Sequence, residues 1–306
     1  MQIFERYTDI PLRGASVAMG NFDGVHLGHL SVINLARREG APLGVISFEP
    51  HPRSFFAPDS PSFRLMNVAA KRHRLEKIGV DVLYDLPFNE ALSSLTALEF
   101  VRDVLASGLG ISHLVVGEDF RFGKGREGDV AFLREHCPEY GIELTVAPLI
   151  SDKHGHYSSS AIRSALAAGQ PEDAARMLGH WHRIDGVVEQ GDQRGRELGF
   201  PTANISVKDL HLPRFGVYAV FFDVLTGPHK GNYQGASSLG DRPTFGRNIP
   251  NLEVYVFDFE GDLYGAEVSV ALVQFQRPEL KFDDLDGLIE QMHKDCAQSR
   301  EILKNA

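Results

Sequence analysis

Cysteine, net positive charge and long apolar runs are scarce or absent in this sequence. Its 306 residues include two cysteines, Cys137 and Cys296, which lie far apart and outside any C-x-x-C spacing. This argues against a disulfide scaffold or a zinc knuckle and favours the cytosol. No apolar run reaches the roughly 18 residues that span a bilayer, and the N-terminus lacks the apolar core of a signal peptide. We therefore expect a cytoplasmic protein without a membrane partner.

Basic residues are too few for a broad nucleic-acid-binding face. Lysine and arginine total 31 against 41 acidic residues, and the formal net charge is −10. Nucleic acid is therefore not an expected partner. An acidic protein still binds ATP, because local backbone N–H groups and Mg²⁺ can neutralise the phosphates. Apolar residues make up 43% of the chain, which is typical of a globular protein with room for two domains.

The first part of the chain alternates short apolar runs with helical segments, which predicts an α/β domain with a parallel sheet. The predicted strands are Ala15–Phe22, Leu43–Phe48, Val80–Pro87, His113–Phe120 and Ile142–Leu149. The predicted helices are His29–Glu39, Val68–Ile78, Thr96–Ala106, Asp129–His136, Ser158–Ala168 and Pro171–Leu178. Thr96 and Glu99 have the spacing of a capping box, which supports the third helix.

After Gly179 the strand-like runs are separated by turns rather than helices, which is typical of an antiparallel barrel. These runs are Gly186–Glu189, Gly216–Asp223, Gly235–Leu239, Glu253–Phe259 and Glu267–Phe275. A last helix is predicted at about residues 283–303, where apolar residues recur at helical spacing. We therefore expect a Rossmann-like domain over residues 1–180 and an antiparallel β-barrel with a C-terminal helix over residues 185–306.

The stretch GNFDGVHLGH, residues 20–29, spaces three glycines four residues apart and two histidines three residues apart. It lies between a predicted strand and a predicted helix, at the edge where open α/β sheets bind ligands. His26 and His29 can face the same way there, and a helix N-terminus favours anions such as a triphosphate. The spacing alone leaves two alternative interpretations of these histidines: a zinc-binding pair and a purely structural pair.

Two further patterns suggest phosphate chemistry. Ser158–Ser160 can cap a helix, with Arg163 one turn further on as a bidentate phosphate donor; the alternative is a plain cap beside a surface arginine. The segment at residues 191–204 ends in Pro-Thr-Ala-Asn. If this end is extended, Thr202 and Asn204 share a face and offer hard oxygen ligands to Mg²⁺. The alternative is a turn with polar caps.

Four motifs of the first part resemble the bacterial FAD synthetases, a family of nucleotidyltransferases with an HxGH loop. They are GNFDGVHLGH, FEPHP at 48–52, GEDFRFGKGREGD at 117–129 and SSSAIRSAL at 158–166. The resemblance implies catalytic contacts to the ATP phosphates from His26, His29 and Arg163. It also implies ATP-binding roles for Gly20, Asn21, Phe22, Asp23, Gly24, Ser159 and Ser160. Ser160 stands where the family usually has Thr, so the hydroxyl is kept.

The second part resembles riboflavin kinases, in GDQRGRELGFPTAN, GVYAV at 216–220, RPTFG at 242–246, LEVYVFDFEGDLYG at 252–265 and RPELKF at 277–282. The resemblance implies that Thr202 and Asn204 hold Mg²⁺ with ATP and that Glu253 is the general base, although a solvent-facing strand glutamate has the same pattern. It also implies ATP-binding roles for Gly191, Gly195, Gly199 and Pro201. Asp241 and Tyr255 depart from the family, which usually has Thr and His there.

Together the resemblances imply a bifunctional enzyme with riboflavin, FMN, FAD and ATP as small-molecule partners and Mg²⁺ as cofactor. The barrel is expected to phosphorylate riboflavin to FMN, and the α/β domain to adenylylate FMN to FAD with release of pyrophosphate. Two alternatives stay open: an adenylyltransferase whose barrel only binds flavin, and a flavin sensor without turnover. The oligomeric state and the aromatic residues that stack on the flavin are not indicated.

Overall fold

A computed structural model describes residues 1–152, 155–191, 199–244 and 247–306 of the chain. The chain divides into two compact units. The first contains Met1–Pro61 and Lys71–Tyr157, and the second contains Ser62–Ala70 and Ser158–Ala306. The short segment Ser62–Ala70 thus belongs to the second unit although it lies early in the sequence. The domain limits 1–180 and 185–306 stay a prediction.

The first unit is built on strands β1 (Gln2–Phe4), β2 (Ser16–Met19), β3 (Leu43–Glu49), β4 (Val82–Pro87), β5 (His113–Gly117) and β6 (Glu143–Ala147), followed by a hairpin of β7 (Ser151–Asp152) and β8 (Gly155–His156). The helices in this part of the chain are α1 (Leu27–Leu35), α2 (Pro52–Phe56), α3 (Val68–Lys77), α4 (Glu90–Ser93), α5 (Ala97–Glu99) and α6 (Val130–His136). A π-helix spans Phe100–Leu109, and 3₁₀ turns span Lys124–Arg126 and Cys137–Tyr140.

The main sheet of this unit has six strands in the order β1-β4-β3-β2-β5-β6. Every neighbouring pair is parallel, so the predicted parallel sheet is confirmed. All four residues of β2 are buried, as expected for a central strand of a parallel sheet. The capping box at Thr96 and Glu99 is also confirmed, with both reciprocal hydrogen bonds present.

The direction of strand addition reverses at β2, which has β3 on one side and β5 on the other. The strands β2, β3 and β4 follow one another in one direction before the chain returns to add β5. In open α/β sheets such a switch point opens a crevice at the carboxyl ends of the strands. The loop that contains the first glycine motif begins at this crevice, because it follows β2 directly.

The loop also ends β2 earlier than predicted. The prediction of a strand over Ala15–Phe22 was wrong at its end, since β2 stops at Met19. The backbone turns because Phe22, Gly24 and Val25 have φ angles of 51°, 90° and 43°. Such positive φ values are incompatible with a continuing strand.

The second unit begins with helices α7 (Ser159–Ala168) and α8 (Pro171–Leu178) and ends with α9 (Leu285–Lys304). Between them lie β9 (His182–Glu189), β10 (Thr202–Ser206), β11 (Gly216–Val224), β12 (Gly231–Thr244), β13 (Arg247–Val256) and β14 (Glu267–Arg277). These strands form a closed barrel in the order β10-β13-β12-β11-β14-β9, with antiparallel neighbours throughout. The predicted barrel and last helix are confirmed.

Alternation along the strands separates the barrel interior from its outer surface. On β13, Leu252, Val254 and Val256 belong to the interior core. Glu253 and Tyr255 therefore point outwards, because successive strand residues face opposite ways. The predicted strand Glu253–Phe259 was wrong at both ends: β13 begins earlier and stops at Val256, where the chain turns through Asp258 with a φ of 55°.

Candidate active sites

The two histidines of the first glycine motif lie together at the start of α1. His26 is the N-cap residue, and its Nδ1 accepts a hydrogen bond from the backbone N–H of His29 at 3.2 Å. The two rings stack with their centroids 3.6 Å apart and their planes 19° apart. Gly28 leaves room for this stack, because a Cβ there would lie 3.0 Å from the His26 ring.

The stacked pair is suited to an anion. Burial, and then the neighbouring His26, hold the pKa of His29 well below its usual value. Because His26 Nδ1 is an acceptor, the hydrogen of its neutral ring is on Nε2. The pair thus offers neutral N–H donors beside the N–H groups of a helix N-terminus. The zinc alternative lacks support, since no group of three His, Cys, Asp or Glu suited to a metal occurs among the described residues.

The predicted ATP-binding residues of this loop are Gly20, Asn21, Phe22, Asp23 and Gly24. Their positions differ: Asn21 is exposed, whereas Phe22 and Asp23 are buried. The edge of the Phe22 ring packs on His29 with the centroids 5.3 Å apart. Phe22 therefore supports the histidine pair from behind, and Asn21 lies on the solvent side of the loop.

The serine run and Arg163 lie in the second unit. Ser158 is the N-cap of α7, and its Oγ accepts from the backbone N–H of Ala161 at 3.1 Å. Ser159 and Ser160 are the first two residues of that helix. Arg163 is half-buried, and one terminal nitrogen of its guanidinium donates to a backbone carbonyl. The structure thus shows the predicted cap, with an arginine held in place beyond it.

Thr202, Asn204 and Glu253 meet on neighbouring strands of the barrel. In the register of β10 and β13, Asn204 lies opposite Glu253 and Thr202 lies opposite Tyr255. Residues that are opposite each other or two apart share a face, so these side chains project together. The Thr202 hydroxyl donates to Glu253 Oε2 at 3.3 Å. Thr202 and Asn204 lie in the extended strand β10. The condition under which the sequence placed their side chains on one face is therefore met.

The Asn204 amide is buried, with 5% of the residue exposed. Its Oδ1 accepts from Asn251 Nδ2 at 2.8 Å, and its Nδ2 donates to the Thr202 carbonyl at 3.3 Å. Gly191 packs directly on this amide, because a Cβ at Gly191 would lie 2.4 Å from Asn204 Nδ2. The amide oxygen therefore has a fixed direction.

A cavity of about 520 Å³ lies beside these residues. One wall contains the predicted residues Gly191, Pro201, Thr202 and Asn204. The lining also includes the loop of residues 259–264, for which the sequence predicted no role. The signal for this loop was present in the motif FEGDLYG, which carried the family resemblance. Gly199 is exposed, and Gly195 lies outside the described residues.

Hydroxyl and amide oxygens are the hard ligands that Mg²⁺ prefers. Thr202 and Asn204 provide both at the cavity wall, so the residues present fit this ion.

One of the two departures from the family pattern, Tyr255, lies beside this site. The Tyr255 ring packs edge-on against Phe200, with centroids 5.1 Å apart, and Phe200 packs on His293 of α9 at 5.0 Å. Tyr255 thus belongs to an aromatic cluster beside Thr202. Asp241 is exposed on β12, and burial together with the charge of Asp241 raises the pKa of Glu279.

Comparisons with known proteins match both parts of the chain. A family model described as FAD synthetase matches residues 9–161, and one described as riboflavin kinase matches residues 178–303. A bifunctional riboflavin kinase/FMN adenylyltransferase of Escherichia coli K12 is 38% identical, covering 95% of this chain and 94% of its own. The protein of that description from Bacillus subtilis 168 is 35% identical, covering 94% and 92%. A solved structure described as a macrolide-efflux protein from Streptococcus pneumoniae has a TM-score of 0.84 at 30% identity, covering 99% of this chain and 98% of its own.

The two folds, their sites and these matches define a transferase with two nucleotide-dependent parts. The chain belongs to the family of bifunctional riboflavin kinase/FMN adenylyltransferases. No helix in the described ranges is long and apolar enough to cross a bilayer.

Proposed function

We propose that this chain phosphorylates riboflavin to FMN and adenylylates FMN to FAD, with ATP as the second substrate of both reactions. The observation that carries the proposal is the convergence of Thr202, Asn204 and Glu253 on one face of two neighbouring barrel strands, where Thr202 and Asn204 line a cavity. The stacked His26 and His29 at a helix N-terminus support the second activity. Matches to both family models support the pairing of the two.

In the kinase reaction, the 5′-hydroxyl oxygen of riboflavin attacks the γ-phosphorus of ATP, and ADP leaves. Glu253 accepts the hydroxyl proton, because a primary alcohol is a poor nucleophile without a base. The hydrogen bond from Thr202 fixes the orientation of the Glu253 carboxylate. Thr202 and Asn204 hold Mg²⁺, which when bound offsets the negative charge of the ATP phosphates.

In the adenylyl transfer, a phosphate oxygen of FMN attacks the α-phosphorus of ATP, and pyrophosphate leaves. No protein nucleophile is needed, because FMN supplies the attacking oxygen. His26 and His29 donate hydrogen bonds to phosphate oxygens on which negative charge increases. Arg163 is a bidentate phosphate donor, and Ser159 and Ser160 add donors at the start of α7.

An aromatic surface supports flavin as the substrate of the first unit. Phe56 on α2 is 68% exposed, which is unusual for so large an apolar side chain. Its ring packs edge-on against Phe55 and Phe88, with centroids 5.2 and 5.7 Å apart. Phe88 follows the carboxyl end of β4, and α2 follows that of β3. Exposed rings at this edge are suited to stack on an isoalloxazine ring.

The test supplies the full-length protein with riboflavin, ATP and Mg²⁺ and separates the flavins over time. We expect FMN first and FAD later. Glu253→Gln should lower riboflavin phosphorylation by about 10²–10⁴ and still convert supplied FMN to FAD. His29→Asn should lower FAD formation by about 10²–10³ while FMN accumulates.

Each variant should keep one of the two activities. The activity that it keeps shows that the variant protein is folded. Conversion of supplied FMN without riboflavin phosphorylation by the unaltered protein would support the alternative of a barrel that only binds flavin. Binding of flavin with no product would support the sensor. Omitting Mg²⁺ tests the proposed cofactor, and riboflavin phosphorylation in its absence would contradict that part. We also propose a cytoplasmic location, which the two free thiols of Cys137 and Cys296 support.

A further inference from the structure

A loop of the riboflavin kinase region contacts the helix that carries Arg163. His211 lies between β10 and β11, inside the range that the riboflavin kinase model matches. Its Nε2 is 2.9 Å from the backbone carbonyl oxygen of Arg163. Because a carbonyl oxygen only accepts, the hydrogen of the imidazole is on Nε2. Burial lowers the pKa of His211, the hydrogen bond to the Arg163 carbonyl partly opposes this, and the nearby charge of Arg163 lowers it further.

The same histidine also fixes a segment from early in the sequence. The backbone N–H of His211 donates to the Arg64 carbonyl at 2.7 Å. Beside this bond, Arg64 and Leu210 form an isolated parallel bridge. Further along the segment, Asn67 Nδ2 donates to the Asp185 carbonyl at 2.8 Å. The segment Ser62–Ala70 is thus attached to the second unit at two places.

This segment supports the Arg163 side chain. Phe63, the residue before Arg64, accepts a hydrogen bond from Arg163 Nη1 through its carbonyl oxygen at 3.2 Å. The centre of the guanidinium lies 5.6 Å from the centroid of the Phe63 ring, within the range of a cation–π contact. The His211 imidazole therefore holds the backbone of Arg163 directly, whereas the backbone N–H of His211 holds the segment on which the guanidinium rests.

We propose that His211 is a positioning residue for adenylyl transfer, because its imidazole fixes the backbone of Arg163 and thereby the point from which the guanidinium extends. This rests on the proposed phosphate role of Arg163. Rates of group transfer fall by up to about 10² when a reacting group is misplaced by about 1 Å. A residue in the riboflavin kinase region thereby affects the rate at which FMN is consumed, without belonging to the kinase site.

The test measures both activities of the full-length protein in each variant. His211→Ala should lower FAD formation from FMN and ATP by about tenfold to a hundredfold and leave riboflavin phosphorylation unchanged. His211→Gln keeps a side-chain N–H donor at similar reach and should restore most of the rate. In an Arg163→Ala background, His211→Ala should cause no further loss, because its effect passes through Arg163. Lys208→Ala, an exposed residue of the same loop, is the matched control and should change neither activity.

Three outcomes overturn the proposal. If Arg163→Ala loses FAD formation but His211→Ala does not, the positioning role is wrong and the role of Arg163 stands. If Arg163→Ala forms FAD at the unaltered rate, the phosphate role of Arg163 fails, and the positioning role fails with it. If His211→Ala lowers both activities equally and His211→Gln restores neither, His211 serves the stability of the unit instead.

Discussion

The orientation of Asn204 depends on three residues, two of which are distant from it in sequence. Asn251 donates to its oxygen, the Thr202 carbonyl accepts from its nitrogen, and Gly191 packs against the amide plane. A swapped amide would place two donors or two acceptors against each other, so only one orientation satisfies the hydrogen bonds. A proposed Mg²⁺ ligand is thus oriented partly by Asn251 and Gly191, which the motif Pro-Thr-Ala-Asn does not contain.

Gly191→Ala tests this packing. The new Cβ would lie 2.4 Å from Asn204 Nδ2, so the amide must move away. We expect riboflavin phosphorylation to fall by about tenfold to a hundredfold, since the displaced amide is a proposed metal ligand. Conversion of FMN to FAD should not change. Initial rates of both reactions, measured on the same preparation, check this.

Gly231→Ala is the control for the Gly191 substitution. Its Cβ would meet nothing closer than 3.5 Å, at the Tyr233 ring, which is ordinary contact. It should therefore leave the kinase rate as it is. Equal kinase rates in the unaltered protein and in Gly191→Ala would show that the close contact does not orient Asn204.

At the scale of the element, two arginine–carboxylate pairs attach α9 to the barrel. Arg277 binds Asp295 through two nitrogens, at 2.9 and 2.6 Å, and Asp295 is only 5% exposed. Arg300 binds Asp258 at 2.7 and 2.8 Å, but the Asp258 side chain is 77% exposed. The geometry of the two pairs is alike, and their burial differs.

This difference predicts unequal effects of the same substitution. Asp295→Asn should lower the free energy of unfolding of the second unit by about 3–5 kcal/mol, because it leaves a poorly hydrated arginine unpaired. Asp258→Asn should lower it far less, since water screens an exposed pair. Urea unfolding can be followed by the fluorescence of Trp181, the only tryptophan, which packs on a cluster that includes Leu303 of α9. Similar losses in the two variants would contradict the prediction.

At the scale of the whole molecule, each unit buries a neutral histidine. In the first unit, Ser16 Oγ donates to the Ala36 carbonyl at 2.7 Å and therefore accepts from His113 Nδ1 at 2.7 Å. Burial, and then the charge of Arg38, lower the pKa of His113. In the second unit, burial lowers the pKa of His182 to about 3, with further repulsion from two other histidines.

These histidines predict a loss of stability in mild acid. The unfolded chain takes up a proton near the usual histidine pKa of about 6.5, whereas the folded chain does so only at lower pH. Their contribution is therefore complete above about pH 6.5 and falls from there towards the folded pKa, which is about 3 for His182. We expect a slope of about 1.4 kcal/mol per pH unit from His182 within this window, with a further contribution of the same sign from His113.

Urea unfolding at several pH values between 7 and 5 measures this slope. Carboxylates such as Glu99 and Glu143, whose pKa values are lowered by hydrogen bonds, contribute only at more acidic pH. Glu279, whose pKa is raised, contributes with the opposite sign, so the net slope is the histidine contribution less that of Glu279. A free energy of unfolding that stays constant from pH 7 to pH 5 would mean that the folded chain takes up the same protons as the unfolded one.

Local patterns were sufficient for the parts of the fold that depend on neighbouring residues. The capping box at Thr96 and the helix cap at Ser158 were predictable because each donor and acceptor lies within one turn. The parallel sheet and the barrel were predictable because alternating helices or turns between apolar runs leave few topologies. The end of β2 was not predictable, because nothing in the apolar sequence around Phe22 indicates that this residue has a positive φ.

The sequence by itself determined the two fold classes, the order of the units' motifs and the residue types available for phosphate and proton chemistry, because periodicity and motif spacing are local properties. Tertiary structure alone decided three things: the stack of His26 on His29, the orientation of the Asn204 amide by Gly191, and the support of Arg163 by Phe63 and His211. Each depends on a contact distance or a ring orientation, and folding sets these through packing that no pattern along the chain specifies.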